Sequence, residues 1–307
     1  MEEVKIELEP GPATHNNNVV IHNYPLYWYV DKIERHEPFT SLLYGDGEWM
    51  VALGGETDNP VSHYKEIVTR KMQTELLDSL SPCDPDIIRG TDPSLIRYME
   101  YAGRDGAGIR KIGRDIERLL LEVGGHFEFV DGTVWDREVR GGRLGPLLKV
   151  LHKREVFLVA NDSFWCANFL HPKAMIDVPD ENAYSVIDQT EELVLQSVET
   201  HKSLNPVVIL CMGLGAIPLA LRLRLKLSDV TILDLGSTLD VFVGLGGDRG
   251  WRRVLYGKTG KPALLQTLKQ NLEGVCGEQC GRYRVDLPLH YNEKFGYYIN
   301  RGVFETE

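Results

Sequence analysis

Two carboxylates separated by a single residue lie in the segment Gly45-Asp46-Gly47-Glu48. An apolar run, Phe39 to Tyr44, comes directly before them, so we expect Asp46 and Glu48 on extended chain at a strand end, where residues two apart face the same side. Two hard oxygen ligands suit Mg²⁺ or Mn²⁺, which complete their coordination with water and substrate phosphates. Gly45 and Gly47 allow a sharp turn and the close approach of a ligand. A tight turn with two solvated acids remains the alternative interpretation.

The same spacing occurs in Asp115 and Glu117, and it serves as a comparison. This second pair lies within a predicted helix, at about 109–123. Side chains two residues apart on a helix point about 200° apart, so they cannot share one cation. The pattern alone therefore does not predict a metal site, and its position at a strand end is what favours Asp46 and Glu48.

A second candidate site is a glycine turn between an apolar strand and a helix, in the segment Ile209 to Ala216. Gly213 and Gly215 lie in the turn, and the N-terminus of the following helix would direct N–H groups and the positive end of its dipole at an anion. Asp234 ends the next predicted strand, about where such folds bind a ribose hydroxyl. The third glycine of the full pattern is missing, so a plain strand-to-helix connection stays open.

Polar residues also follow two other predicted strand ends. After the strand that ends near Asp234, the segment continues through Gly236, Ser237 and Thr238 to Asp240, and its side chains could bind a sugar or a diphosphate. Ser237 or Thr238 could equally cap a turn. Asn161-Asp162-Ser163, after the strand at 155–160, has the same two interpretations.

The elements that would position these residues alternate along the chain. Apolar runs predict strands at 39–44, 87–90, 155–160, 174–178, 207–212 and 230–235, and helical spacing predicts helices at 63–80, 109–123, 185–202 and 216–227. This alternation predicts a Rossmann-like α/β fold, with a mostly parallel twisted sheet flanked by helices. We expect an N-terminal arm (1–30), one Rossmann-like domain (31–250) and a C-terminal extension (251–307) packed on that domain.

Composition narrows the class of protein. The 307 residues include 43% hydrophobic and 26% charged residues, as in globular domains, and the net charge of −11 argues against a dedicated nucleic-acid binder. Neither a signal peptide nor an apolar run long enough to span a membrane occurs, so we expect a soluble cytoplasmic protein. The five cysteines are scattered, which does not suggest a disulfide framework. Cys276 and Cys280 could be two ligands of a zinc site, but no second pair with zinc spacing accompanies them.

The segment Tyr44-Gly45-Asp46-Gly47-Glu48 resembles the Phe-Gly-Asp-Gly-Glu-like strand end of GT-D type glycosyltransferases, bacterial enzymes that transfer a sugar from a nucleotide sugar. Gly213 to Arg222, Asp234-Leu235-Gly236 and Pro179 to Tyr184 are similar to further segments of that family, and the matches spread over about 40–242 in the same order. The chain departs from the family at Leu43, where many members have Arg, and at Ser237, where many have His.

The resemblance implies the GT-D type of fold and a cation, Mn²⁺ or Mg²⁺, held by Asp46 and Glu48 with the donor diphosphate. The residues that we expect to bind the donor are Tyr44, Gly45, Gly47, Gly213, Gly215, Asp234, Gly236 and Ser237. Asp162 and Asp240 join Asp46 and Glu48 as the catalytic candidates, and either could be the base that accepts the acceptor's proton.

The sequence thus predicts a metal-dependent glycosyltransferase (a hexosyltransferase) that moves a sugar from a UDP-sugar, such as UDP-glucose, to a hydroxyl acceptor. A glycan or glycoprotein acceptor is favoured. Basic stretches at 137–154 and 249–261 leave a hydroxylated DNA base as an alternative acceptor. The alternatives are an S-adenosylmethionine-dependent methyltransferase that uses the Gly213–Gly215 turn and Asp234, and a non-enzymatic nucleotide-binding module. The sequence carries no signal for an oligomeric state.

Overall fold

The structure is a computed structural model that describes residues 11–16, 19–55, 67–81, 84–93, 95, 106–166, 168–243, 261–275, 290–292 and 297–299. Within these residues, a nine-stranded sheet carries helices on both faces. Eight of its strands run parallel, and one edge strand is antiparallel. The predicted α/β fold, with a mostly parallel sheet flanked by helices, is confirmed.

The strands of the main sheet are short, mostly of five residues. In chain order they are β1 (Gly11–Asn16), β2 (Val19–Asn23), β3 (Thr40–Tyr44), β4 (Ile87–Thr91), β5 (Phe127–Asp131), β6 (Val156–Ala160), β7 (Ala174–Asp177), β8 (Val207–Cys211) and β9 (Thr231–Asp234). Across the sheet their order is β1-β2-β5-β4-β3-β9-β8-β6-β7, with β1 antiparallel to β2. A separate antiparallel pair consists of β10 (His290–Asn292) and β11 (Tyr297–Ile299).

The helices differ in length from a single turn to 18 residues. In chain order they are α1 (Leu26–Glu34), α2 (Asp46–Ala52), α3 (Arg70–Asp78), α4 (Gly106–Val123), α5 (Val134–Arg140), α6 (Gly145–Leu151), α7 (Ile187–His201), α8 (Ala216–Lys226), α9 (Asp240–Val243) and α10 (Lys261–Leu272). Across the described ranges, no helix is both long and apolar enough to span a membrane.

Two hydrophobic cores lie on the two faces of the sheet, because successive strand side chains point to opposite sides. In β8, for example, Val208 and Leu210 belong to one core, whereas Val207 and Ile209 belong to the other. Residues of α2, α3, α4, α7 and α8 fill the first core, and residues of α1, α5, α6, α9 and α10 fill the second. Both faces are therefore covered, as continuous apolar strands require.

The N-terminal residues contribute more to the fold than the predicted arm would. β2 pairs in parallel with β5, β1 pairs with β2, and α1 crosses the predicted boundary at residue 30. The sheet therefore begins with the first described residues. From residue 11 onward the predicted arm is part of the domain, which corrects the prediction.

The C-terminal helix α10 is fixed to the domain by a buried side chain. Asn271 accepts a hydrogen bond from the Leu144 N–H (2.7 Å) and donates one to the Val139 carbonyl (2.8 Å). These bonds satisfy backbone groups of α5 and α6, so α10 packs on the second core. Trp251, Cys276 and Cys280 lie outside the described residues.

Most predicted elements lie within two residues of their observed bounds, and the differences have local causes. The helix predicted over 63–80 begins at Arg70, because Thr69 is its N-cap and accepts the Met72 N–H through its side chain. The predicted residues 63–66 lie outside the described residues. The strand β5 and the helices α5 and α6 were not predicted. Both helices have seven residues, about two turns, which is too short for a repeating apolar pattern to be recognised.

The two central strands, β3 and β9, continue to opposite faces of the sheet. After β3 the chain enters α2, which packs in the first core, whereas after β9 it turns into α9 in the second core. Two parallel neighbours whose connections separate in this way leave a crevice at their carboxyl ends, the usual ligand position in open α/β sheets. Asp46, Glu48 and Asp234 all lie at this crevice.

Candidate functional site

The segment that carries the two candidate metal ligands is helical. Gly45 is the N-cap of α2, so Asp46 and Glu48 are the first and third residues of the helix and do not lie on extended chain as predicted. The Glu48 side chain turns back over the helix start, where its Oε2 accepts the Gly45 N–H at 2.9 Å. Oδ1 of Asp46 accepts the Gly47 N–H at 3.0 Å, and Asp46 is exposed. The prediction that Asp46 and Glu48 share one face of extended chain is therefore wrong, and the proximity of the two carboxylates would depend on the folded-back Glu48 side chain.

Hydrogen bonds within the first core fix the position of α2. Trp49 is completely buried, and its Nε1 donates to Thr91 Oγ1 at 3.0 Å. The Thr91 hydroxyl donates in turn to the Tyr44 carbonyl at 3.2 Å, which joins β4, β3 and α2. Sequence reasoning did not assign Trp49 or Thr91, and a buried indole N–H, which requires an acceptor, was the available signal.

Tyr44 lies beneath the site and does not line it. Its ring is fully buried against Trp49 and Phe129, and its hydroxyl is hydrogen-bonded to Ser79. Burial raises the pKa of Tyr44 to about 12. The side chain thus has a structural role, in place of the donor contact that the sequence suggested.

Gly45 and Gly47 lie close to two different neighbours. A Cβ at Gly45 would lie 3.0 Å from Oε2 of Glu48, and a Cβ at Gly47 would lie 3.2 Å from Cδ2 of Leu214. The second distance shows that the start of α2 touches the turn after β8. Segments some 165 residues apart in sequence, around Gly47 and Leu214, are therefore adjacent at the crevice.

Asp234 is the buried acid of the crevice. Only 3% of the residue is exposed, and its two oxygens accept the Leu43 N–H (3.1 Å) and the Gly236 N–H (3.0 Å). Burial and, secondly, the charge of Glu48 raise the pKa of Asp234 well above its ordinary value, although the two N–H donors oppose this shift. Its burial favours a structural role and argues against the predicted contact with a ribose hydroxyl. Gly236 has a φ of 50°, a left-handed conformation that explains the glycine.

The turn after β8 has the predicted strand–turn–helix form. Residues Gly213–Gly215 form one turn of 3-10 helix, and α8 begins at Ala216. Gly213 has a φ of 59°, which favours glycine, whereas Gly215 has an ordinary φ of −74° and is buried. A Cβ on Gly215 would face Met212 and the backbone of Tyr184, so this glycine serves packing within the protein. Gly213, which is half-buried, is the better placed of the two for a ligand.

The two candidate bases lie on the second-core side of the same sheet edge. Asp240 is half-buried at the start of α9, and its N–H donates to the Ser237 carbonyl at 3.1 Å. Burial and then the charges of Asp240 and Asp234 raise the pKa of Cys211 at the end of β8. Asp162 is exposed at the start of a 3-10 turn, Asp162–Cys166, after β6. Asn161 caps that turn, since its Oδ1 accepts the Ser163 N–H at 3.1 Å.

The described basic residues of the stretch 137–154 are largely engaged in ion pairs and hydrogen bonds. Arg137 pairs with Asp131 at 2.6 Å, and Arg143 pairs with Glu138 at 2.8 Å. Lys153 pairs with Glu34, and Arg154 donates to the Asn205 carbonyl. These pairs neutralise much of the charge from which a basic groove would be built. The second stretch, 249–261, lies outside the described residues up to its last member, Lys261.

No group of three or more His, Cys, Asp or Glu side chains is arranged to hold a metal ion in the part of the chain that the structure describes. Any cation at the crevice would therefore take at most two protein carboxylates from these residues. Such a donor set fits a hard divalent cation that completes its shell with water and phosphate oxygens. At the start of α2, Asp46 and Glu48 are two such carboxylates, and one oxygen of each accepts a backbone N–H.

Three solved structures to which the chain is similar are DUF1792 domains. The chain is similar to a structure described as a new glycosyltransferase (DUF1792) from Streptococcus sanguinis, with 12% identity and a TM-score of 0.54 over 71% of this chain and 82% of that chain. A second structure is described as showing that the highly conserved domain of unknown function 1792 has a distinct glycosyltransferase fold. It matches with 14% identity and a TM-score of 0.54, over 71% of this chain and 79% of that chain.

A selenomethionine-substituted DUF1792 domain matches with the same identity, coverage and TM-score as the second structure. No protein-family model matches the sequence, and no curated protein matches it either. At these identities the likeness shows a common fold, in agreement with the resemblance drawn from the motifs at the level of the fold.

Proposed function

We propose that this protein is a metal-dependent glycosyltransferase that moves a sugar from a nucleotide sugar, such as UDP-glucose, to a hydroxyl acceptor. One observation carries the proposal: segments 45–48, 213–215 and 234–237 meet at the carboxyl edge of a sheet whose fold is that of domains described as glycosyltransferases. The contact between Gly47 and Leu214, and the bond between Leu43 and Asp234, support this convergence.

The donor diphosphate would lie between the start of α2 and the turn before α8. Gly213 allows the left-handed turn, and the N-terminus of the eleven-residue α8 favours a negatively charged group. Ser237, half-buried after β9, would contact the ribose or the sugar in the place first suggested for Asp234.

Asp46 and Glu48 would hold Mn²⁺ or Mg²⁺ against the diphosphate. Bound there, the cation would stabilise the negative charge that develops on the departing nucleotide. The Gly45 N–H orients the Glu48 carboxylate, and Trp49, one residue farther on, fixes the helix that carries both acids. Because Asp234 is anchored to backbone N–H groups on each side, we assign it to holding the crevice open, not to binding the cation.

Asp240 is the better placed of the two candidate bases. It is half-buried and bonded to the turn that follows β9, where an acceptor hydroxyl could approach the donor, whereas Asp162 is exposed in the turn after β6. A base in contact with the acceptor must lie within hydrogen-bond reach of its hydroxyl. We therefore propose Asp240 as the base and a neutral glycan or glycoprotein as the acceptor.

The methyltransferase alternative is weakened by the burial of Asp234. That reading requires Asp234 to reach the ribose hydroxyls of S-adenosylmethionine, but both of its oxygens accept backbone N–H groups and the residue is 3% exposed. It would also leave Asp46 and Glu48 without a task. A non-enzymatic nucleotide-binding module shares the donor site and differs only in turnover.

Calorimetric titration separates these three possibilities. The purified protein is titrated with UDP-glucose and with S-adenosylmethionine, each with Mn²⁺ and with EDTA, and release of UDP is then followed with added glycans. We expect Mn²⁺-dependent binding of UDP-glucose, and UDP release that increases with an acceptor. Binding of S-adenosylmethionine alone would refute the proposal, and donor binding without any UDP release would favour the binding module.

A further inference from the structure

A side-chain network connects the glycine turn Gly213–Gly215, the proposed donor site, to the helices beside it. Tyr184 is 6% exposed, and its hydroxyl donates to Oε2 of Glu75 in α3 at 2.7 Å. The other oxygen of Glu75 accepts a hydrogen bond from Arg222 in α8, which also pairs with Asp188 in α7. The turn around Tyr184, α3 and α8 thereby meet at the Glu75 carboxylate, and Arg222 links α7 to them through Asp188.

The same network closes on the glycine turn. A Cβ on Gly215 would lie 3.5 Å from the backbone N of Tyr184, so the Tyr184 segment supports the turn from behind. Arg222 belongs to α8, the helix that this turn begins. The path from Gly215 through Tyr184, Glu75 and Arg222 back to α8 is thus a closed ring of contacts.

Two features of the Tyr184 segment show that its position is strongly constrained. Asn182 has a φ of 60°, and its Oδ1 accepts the N–H of Ile67, close to the start of α3, at 2.6 Å. Both the backbone before α3 and the side chain of Glu75 are therefore held by the segment Asn182–Tyr184. Asparagine adopts the left-handed conformation more readily than most residues, and here that conformation accompanies the side-chain contact with Ile67.

The charges in the network favour the hydrogen bonds and ion pairs that the structure shows. Burial and the neighbouring Glu75 raise the pKa of Tyr184, so the hydroxyl remains a donor. Burial works against the charge of Arg222, but the carboxylates of Glu75 and Asp188 raise its pKa above the ordinary value. Such partly buried, satisfied networks hold a single geometry more firmly than isolated surface pairs do.

We infer that Glu75, Tyr184 and Arg222 are positioning residues that hold the Gly213–Gly215 turn in the geometry that binds the donor diphosphate. This inference rests on the proposed function, because it takes the turn to be the donor site. None of the three touches the donor or the reacting atoms in this assignment. Their effect is on donor affinity, since a mobile turn must be ordered before it can bind.

The chain offers a matched control on the same helix. Arg224 lies one half-turn from Arg222 and is buried to a similar degree, but it pairs with Asp84 (3.1 Å) and Asp86 (2.8 Å), away from the glycine turn. Arg222→Gln and Arg224→Gln each remove one half-buried guanidinium that bridges carboxylates. The partners of Arg222 are Glu75, Asp188 and Glu191, and those of Arg224 are Asp84 and Asp86. Only the first should disturb the turn.

The test combines donor kinetics with hydrogen exchange on Tyr184→Phe, Glu75→Gln, Arg222→Gln and Arg224→Gln. For the first three we expect the KM for UDP-glucose to rise by about fivefold, the effect of one lost hydrogen bond, with kcat within about twofold of the native value. Arg224→Gln should leave both constants unchanged at temperatures well below its melting point. A fall in kcat with an unchanged KM, or equal effects of Arg222→Gln and Arg224→Gln, would overturn the inference.

Hydrogen exchange on the donor-free protein is the independent readout. Amides of residues 212–217 should exchange faster in Tyr184→Phe and Glu75→Gln than in the native protein, and should be unchanged in Arg224→Gln. Unchanged exchange in Tyr184→Phe and Glu75→Gln would refute the positioning role. If the native protein fails to bind UDP-glucose, the proposed function fails, and the exchange result still decides whether the network holds the turn.

Discussion

The backbone N–H of Leu43 donates a hydrogen bond to Oδ2 of Asp234, 3.1 Å away. The backbone ladder between β3 and β9 pairs Thr40 with Ile232 and Ser41 with Leu233, and beyond it this side chain supplies the next acceptor. A carboxylate therefore replaces a backbone carbonyl where the two strands end. The chains can then separate to opposite faces without leaving a buried N–H unpaired, which would cost free energy.

Replacing Asp234 should therefore lower stability before it affects chemistry. Asp234→Ala would leave two buried N–H groups without an acceptor, so we expect the free energy of unfolding in urea to fall by at least about 2 kcal/mol. Asp234→Asn keeps one acceptor oxygen and should lose less. Asp229→Ala, an exposed acid just before β9, is the control and should change stability by less than about 0.5 kcal/mol. A fully stable Asp234→Ala with lost donor binding would restore the direct ribose contact.

Asp46 and Glu48 should be required for turnover and dispensable for the fold. Asp46→Asn and Glu48→Gln preserve shape and an acceptor for the Gly47 and Gly45 N–H groups, but they remove the charge that a cation needs. We expect each to lower kcat/KM for UDP-glucose by about 100-fold or more, the scale of lost metal catalysis. Asp115→Asn and Glu117→Gln, on the helix α4, should change it little. Full activity of the native protein in EDTA would rule out the metal.

Gly45→Ala and Gly47→Ala should separate the cation from the donor. The new methyl at 45 would press on the Glu48 carboxylate without backbone strain, because φ is −84°. At 47 it would press on Leu214 in the Gly213–Gly215 turn. We expect Gly45→Ala to raise the Mn²⁺ concentration for half-maximal activity about tenfold, the scale of a disturbed ligand orientation. Gly47→Ala should mainly raise the KM for UDP-glucose, and the reverse pattern would contradict this assignment of neighbours.

The sequence predicted the sheet better than it predicted the site. Continuous apolar strands such as Val156–Ala160 and Val207–Cys211 are recognisable because they are buried on both faces. The geometry of Asp46 and Glu48 was not recognisable from the sequence. A strand end and a helix start differ only in their backbone angles, and Gly45 and Gly47 allow either. Contacts such as Glu75 with Tyr184 join residues 109 positions apart, and a helix surface carries no local signal of its partner.

The two glycines of the Gly213–Gly215 turn should respond differently to alanine. At Gly213, with a φ of 59°, any side chain is strained, and we expect a loss of about 1 kcal/mol in stability together with weaker donor binding. At Gly215 the new methyl would meet only the end of the flexible Met212 side chain at 2.6 Å and the Tyr184 backbone at 3.5 Å. Gly215→Ala should therefore keep its donor affinity. Thermal melting and UDP-glucose titration of both variants provide the test, and equal losses of affinity would show that both glycines face the donor.

Salt dependence should identify the class of acceptor. The net charge of −11 repels a polyanion, and Arg137, Arg143 and Lys153 are engaged with carboxylates, so we expect a neutral glycan acceptor. Its KM should change little with added salt, whereas affinity for DNA would fall in log–log plots with a slope of about 0.9 for each phosphate contacted. Arg140→Ala and Lys149→Ala, which remove exposed charges from α5 and α6, should leave the acceptor KM within about twofold if no phosphate is bound. A steep salt slope with a DNA acceptor, lessened in these two variants, would overturn the preference for a glycan.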